Sequence, residues 1–264
     1  ASVDYHRADL SRDGEVYKLM GSVRPEKVIH LASLLAGPCE NDPALGYRVN
    51  FNSTVALLDA CRTFGANRFV MTSSISVFGK NLPEPVVDNE IKQPLTIYGQ
   101  TKLACEHLLE WYQRVHGFSS GAVRFPWVFG PGRTTGITAE YSSKLLDAIA
   151  SGEKLVITNP EEKGDWLYIK DAVKALLILL ELNQQPQIAY NIMSGLYTVR
   201  EAMTIAQSLF PDAEIEIGEG AEVTSPYPTS FDDSKARQEI GWQPDYSIEK
   251  AMQEHVEILR RKLN

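Results

Sequence analysis

Short apolar runs of strand length alternate with segments of helical spacing along this chain, and that alternation confines it to βα units stacked on a parallel sheet. Lys27-Val28-Ile29-His30-Leu31-Ala32 reads as a buried strand. From Asn50 to Phe64 the apolar positions Val55, Leu57, Leu58 and Cys61 fall at helical intervals, and Gly65 supplies the stop. Arg68 to Ser74 predicts a second strand, one that ends in hydroxyl residues. A long helix follows from Tyr98 to Val115, closed by Gly117. Gly121 to Phe125 is a third strand and runs into the loop Gly130-Pro131-Gly132.

The second half mixes its elements differently. Ser142 to Ala150 and Lys170 to Leu182 predict helices, while Lys154 to Thr158 and Ala189 to Met193 predict strands. Thr198-Val199-Arg200-Glu201 is a capping box, whose hydroxyl and carboxylate each take one of the helix's unpaired amides. Its helix runs to Phe210, where Pro211 stops it. A loop rich in Pro, Ser and Thr spans Thr224 to Ser230, and an amphipathic helix from Ser247 ends the chain.

Composition excludes several classes of function. With 34 acidic against 26 basic side chains in 264 residues, the net charge of -8 lacks the clustered cations a nucleic-acid surface needs. No stretch reaches the roughly 18 apolar residues of a membrane span. Residues Ala1 to His6 have neither the basic lead nor the apolar run of a signal peptide. Cys39, Cys61 and Cys105 form no metal-ligand or disulfide spacing. Free thiols, no metal site and a cytoplasmic location are therefore expected.

Chemistry concentrates at Tyr98-Gly99-Gln100-Thr101-Lys102. Residues four apart share a helix face, so the phenol and the ammonium lie side by side. A nearby cation favours the phenolate and suits the tyrosine to general acid–base work. Alone this signal is weak, because with eleven tyrosines a lysine four residues on arises by chance in about half of such chains. Tyr246 and Lys250 repeat the spacing across a helix start and read as a coincidence. The context of Tyr98 is what distinguishes it. Ser73-Ser74-Ile75-Ser76 stands upstream at the carboxyl end of a strand, where open α/β sheets bind their ligands.

At these residues the chain resembles the extended short-chain dehydrogenase/reductase family, the NAD-dependent epimerase/dehydratase group. Further along, Arg124-Phe125-Pro126-Trp127-Val128-Phe129-Gly130-Pro131 resembles the strand and loop that approach the nicotinamide, and Ile240-Gly241-Trp242-Gln243-Pro244 the family's C-terminal signature. The resemblance implies Ser74, Tyr98 and Lys102 as catalytic residues. It implies cofactor contacts at Asp9 and Leu10, at Leu31, Ala32 and Ser33, at Asn50, Ser73 and Pro126, and again at Tyr98 and Lys102. Ser74, Ser76, Trp127 and Thr134 are the expected substrate contacts. His30, Phe129 and Arg133 read as structural or solvated, and Cys39 as part of a mobile loop.

Two features depart from the family pattern. No G-x-x-G-x-x-G arrangement occurs among the eighteen glycines, and the chain opens at what looks like the family's third strand. The fold expected is therefore an α/β, doubly wound, Rossmann-like parallel sheet, N-terminally incomplete, with a smaller α+β substrate-binding region behind it. Residues 1–130, joined by the strand near 189–193, would hold the dinucleotide, and residues 131–264 the substrate. Secondly, Gly164 stands where nucleotide-sugar members carry a diphosphate-binding arginine, and Ser225 to Phe231 contains none.

The resulting expectation is an NAD-dependent oxidoreductase, with NADP open as the alternative cofactor. Its substrate would be small: a sugar acid, hydroxy acid, amino-acid alcohol or ketone. A nucleotide-sugar epimerase is the second reading, and a non-catalytic binding protein or inactive fragment the third. A homodimer through a four-helix interface is also implied, with Ala104, Leu108, Leu109 and Tyr112 as its apolar face.

Overall fold

The computed structural model describes residues 3–182, 184–218 and 227–263. In chain order its elements are α1 (Asp13–Val23), β1 (Lys27–His30), α2 (Ala36–Asn41), α3 (Pro43–Gly46), a π-helical turn (Tyr47–Asn52), α4 (Ser53–Phe64) and β2 (Arg68–Ser74). A short 3-10 turn (Ile75–Val77) precedes α5 (Ile97–His116), β3 (Ser119–Phe125) and β4 (Trp127–Phe129). Then come α6 (Ser143–Ser151), β5 (Leu155–Ile157), β6 (Lys163–Tyr168), α7 (Ile169–Glu181), β7 (Ala189–Asn191) and β8 (Leu196–Thr198). The chain continues with α8 (Val199–Leu209), β9 (Ile215–Ile217), α9 (Ser234–Ile240) and α10 (Ile248–Leu263).

These elements form two compact units. The first comprises Ala1–Gly79, Ile91–Arg124 and Leu176–Tyr190. Its sheet has the order β1-β2-β3-β7, with β1 and β2 parallel and Lys27 opposite Arg68. Val16 and Met20 of α1, Leu57 and Leu58 of α4, and Leu109 and Tyr112 of α5 pack with Phe69 and Met71 of β2 and Ala122 of β3. The next residue along, Gly121, points to the other face, where a Cβ would meet Leu179 of α7 at 3.0 Å. Alternation along β3 thus meets helices on both sides, the doubly wound arrangement the sequence predicts. Arg68, buried at the start of β2, donates to the Leu179 carbonyl and to Ser119 Oγ.

The second unit comprises Lys80–Glu90, Phe125–Ala175 and Asn191–Asn264. Three short strands run in the order β4-β6-β8, and β5 pairs with β9. Around them Phe129, Trp166 and Tyr168 pack with Leu145 and Leu146 of α6, Ala202 of α8 and Met252 of α10. The capping box at Thr198 forms as read, with Glu201 N bonded to Thr198 Oγ1 and Thr198 N to Glu201 Oε2.

Four expectations need correction. Residues 3–9 form no strand: no ladder pairs them, and the Asp9 amide donates to Glu15 Oε2 at 2.7 Å instead. The strand read as buried over 27–32 ends at His30 and is only half covered. It is the outermost strand of its sheet, with β2 as its partner, and Leu31 is 58% exposed. Cys39 lies in α2, fully buried against Gly46, and not in a mobile loop. Leu109 and Tyr112, expected on a dimer face, are turned into the core of their own unit. The apolar surface that α5 does leave outside is Trp111 and Val115. Of the Thr224–Ser230 loop, residues 224–226 lie outside the described residues.

Asp165 of β6 is the most telling buried charge of the second unit. Both its oxygens accept from Ser194 N, at 2.9 and 3.1 Å. Burial pushes it up to about 7 from an ordinary 3.8, against the opposing pull of the Ser194 amide and with Asp233 adding to the rise. A folded value above the unfolded one means that the folded chain holds the proton across that interval, so stability falls as pH rises from about 4 to about 7. Asp165→Asn should flatten this slope, which urea midpoints measured across the interval would reveal.

Candidate active site

Thr96 starts the site. Its hydroxyl accepts from Gly99 N at 3.0 Å and caps α5, which puts Tyr98 in the first turn and Lys102 one turn later. Lys102 is buried, and its ammonium donates to the Thr72 carbonyl of β2 at 2.8 Å. The Nζ stands 5.7 Å from the centroid of the Tyr98 ring. Burial pushes Lys102 down to about 8, while Cys105, Cys39 and Glu106 act in the opposite direction. His30, at the end of β1, is pushed down to about 4 by its own burial and by the charge of Lys102. It is therefore neutral at neutral pH, and its Nε2 has no hydrogen-bond partner among the described residues.

Ser74 ends β2 and caps the 3-10 turn behind it. Its Oγ accepts from Ser76 N and donates to Ser76 Oγ, both at 3.1 Å. This turn lies directly on α5. A Cβ added to Gly99 would fall 2.2 Å from the Ser76 carbonyl oxygen and 2.9 Å from Pro94 Cβ. Only glycine admits so close an approach. The missing side chain at 99 is thus what lets the serine turn meet the helix that carries Tyr98.

Asn50 braces the arrangement from below. It sits in the π-helical turn, 3% exposed. Its Oδ1 accepts from Leu34 N at 2.7 Å, and its Nδ2 donates to the Leu34 carbonyl at 3.0 Å and to Thr101 Oγ1 at 3.1 Å. One carboxamide therefore ties the loop after β1 to α5 between Tyr98 and Lys102. Ser73, the neighbour of Ser74, is buried and donates to Glu106 Oε1 at 2.5 Å.

The other expected residues are distributed as follows. Leu31 and Ala32 are exposed and Ser33 half-buried in the loop that Asn50 holds. Asp9 is exposed, and its carboxylate accepts from Ser11 N and Oγ, while Leu10 packs partly on the core. Pro126, Trp127 and Thr134 belong to the second unit. Trp127 lies over Gly164 and against the rings of Tyr141 and Trp166, at 5.3 and 6.3 Å between centroids. Thr134 is exposed, whereas Arg133, read as solvated, is fastened to the Val128 carbonyl and to Thr138 Oγ1. At the coincidental pair, Lys250 stands 4.1 Å from the centroid of the Tyr246 ring, and the Tyr246 hydroxyl donates to Glu254.

Sequence reading missed two residues. Gly99 is a poor helix former inside a first turn, a signal that backbone contact, not propensity, chose it. Glu106 follows Lys102 by one turn and interrupts the buried face of Cys105 and Leu109, a charge where apolar residues belong.

Comparison with known proteins shows what the chain as a whole is similar to. A family model described as "NAD dependent epimerase/dehydratase family" matches residues 1–192. An uncharacterized epimerase/dehydratase of Staphylococcus aureus (strain MRSA252) is 28% identical over 268 residues, covering 94% of this chain and 81% of that protein. A monomeric L-threonine 3-dehydrogenase from a metagenome superposes with a TM-score of 0.87 at 25% identity, covering 100% of this chain and 89% of the other. The UDP-glucose 4-epimerase of Thermotoga maritima, solved with UDP-glucose, superposes with a TM-score of 0.86 at 24% identity, covering 98% and 85%.

Two outcomes follow for the site. Gly99→Ala should push the serine turn off α5, costing about 1–3 kcal/mol of stability from overpacking, and should lower activity more than melting temperature alone explains. Lys102, with a folded value below the ordinary 10.5, is the reverse of Asp165: the unfolded chain holds the extra proton between about 8 and 10.5, so stability rises with pH across that window. Lys102→Met should abolish this rise, as thermal midpoints across the window would record.

Proposed function

The chain belongs to the NAD dependent epimerase/dehydratase family, and from that premise we propose that it is a dehydrogenase that oxidises the hydroxyl of a small 2-amino-3-hydroxy acid such as L-threonine. It is an NAD-dependent enzyme of the extended short-chain dehydrogenase/reductase type. The observation that carries the proposal is the buried ammonium of Lys102, held by the Thr72 carbonyl one turn from Tyr98. Such a cation favours the charged form of the phenol and makes Tyr98 a base at working pH.

In this reading Tyr98 takes the proton from the substrate hydroxyl. Ser74, at the strand end, hydrogen-bonds the same oxygen and stabilises the charge that develops on it. Lys102 keeps the phenolate stable and offers its remaining donors to ribose hydroxyls. An ammonium has three donors, of which the structure commits one to Thr72. Bound NAD supplies the hydride acceptor. The residues suited to the nicotinamide-ribose end are Tyr98, Lys102 and the Leu31-Ala32-Ser33 loop. For the diphosphate end, no glycine-rich turn opens a helix among the described residues.

Substrate size is supported by the second unit. A Cβ on Gly164 would lie 2.5 Å from the Trp127 indole. Position 164 thus has no room for the arginine expected of nucleotide-sugar members while Trp127 keeps its place. The likeness to the L-threonine 3-dehydrogenase favours an amino-acid alcohol over the other small substrates. The likeness to the UDP-glucose 4-epimerase favours the second reading, in which hydride returns to the opposite face of a sugar.

Absorbance of the reduced nicotinamide separates the two. With L-threonine and NAD the wild type should accumulate reduced cofactor, and Tyr98→Phe should lower that rate by at least about a hundredfold while cofactor still binds. Interconversion of UDP-sugars without net reduction would instead establish the epimerase.

A further inference from the structure

Beneath the proposed triad lies a charged pair that proton transfer does not use. Glu106 follows Lys102 by one turn of α5, and Arg124 projects from β3. Both side chains are 5% exposed. Arg124 grips the carboxylate side-on, Nε to Oε1 and Nη2 to Oε2, each at 2.9 Å. Its guanidinium lies 5.3 Å from the centroid of the Phe78 ring. Ser73 Oγ completes the set on Oε1.

Removing two charges from water is costly, and well-packed apolar side chains would join the same elements at no such cost. What apolar groups could not do is hold Ser73. A carboxylate accepts at both oxygens and donates nowhere, so it can take the arginine fork and a serine hydroxyl together. Ser73 is flanked on β2 by the two groups the site requires: the Thr72 carbonyl that holds Lys102, and Ser74. Turning β2 about its axis would move both.

We propose that Glu106 is a positioning residue: anchored by Arg124, it fixes Ser73 and so sets where the Thr72 carbonyl and the Ser74 hydroxyl stand against α5. This rests on the dehydrogenase reading for its consequence in turnover, but the geometry can be tested without a substrate.

Two variants preserve net charge. Ser73→Ala cuts the link and leaves the ion pair, while Glu106→Leu with Arg124→Met replaces the pair by apolar packing and guards against a failure to fold. The Tyr98 phenol is titrated in each by ultraviolet difference against its own Tyr98→Phe counterpart. The phenol faces Lys102. Lys102 in turn faces His30 of β1, Cys39 of α2, and Cys105 and Glu106 of α5, none of which changes in Ser73→Ala. A loosened Lys102 should raise the phenol midpoint by about half a unit or more in both variants. Turnover of L-threonine with NAD should fall about tenfold in kcat, with both KM values within about twofold. Unchanged midpoints in two folded variants would reduce the pair to a structural role and overturn the proposal. A wild type inactive on L-threonine would count against the dehydrogenase reading alone, because the phenol titration would still decide the role of Glu106.

Discussion

A lysine ammonium held out of water is the constraint around which the first unit is arranged. Burial pushes Lys102 down to about 8, and Cys105, Cys39 and Glu106 act against that push. The Thr72 carbonyl gives the charge an acceptor, and that carbonyl is available because it lies near the end of β2. Helix α5 has to start where it does for Lys102 to reach it. The cap at Thr96 and the stop at Gly117, which adopts the left-handed conformation, fix both of its ends.

From that constraint the other features follow as supports. Asn50 joins the β1 loop to α5 through Leu34 and Thr101, and the wider π-helical turn carries its carboxamide between them. Gly99 lets the serine turn close on the helix. His30 stays neutral beside the ammonium, where a second cation would raise the cost of burying the first. Each device acts on the same few ångströms of α5, so their effects should couple and not add.

Much of this frame was legible in the chain. β2 begins and ends as the apolar run Arg68 to Ser74 indicates, and α5 extends one residue beyond each end of the predicted Tyr98 to Val115 and stops at Gly117 as expected. Local signals were enough there because local interactions make those elements. They failed where a distant partner decides. The burial of Lys27 to Ala32 depends on what flanks β1 in the sheet, which no residue of that run encodes. Leu109 and Tyr112 are apolar at helical spacing whether they face a second subunit or their own core, and periodicity alone could not distinguish the two. Cys39 is buried because Gly46 leaves room for its sulfur, a contact made only once α2 and α3 have turned back on one another. Glu106 was passed over for the same reason, since its partner Arg124 lies on a different element.

The second unit applies the same logic with the opposite sign. In the first, a missing side chain at Gly99 admits a backbone; in the second, a missing side chain at Gly164 admits an indole. The register of β4 on β6 sets Trp127 opposite Trp166, and the ring then settles over the glycine two residues earlier, against Tyr141. Trp127 and an arginine at 164 are therefore mutually exclusive occupants of one volume. Replacing Gly164 by arginine would not graft a diphosphate grip onto this chain unless Trp127 were reduced as well, because the indole, packed between two aromatic rings, has little freedom to withdraw. The proposal of a small substrate rests in this sense on a packed pair and not on a single absent arginine.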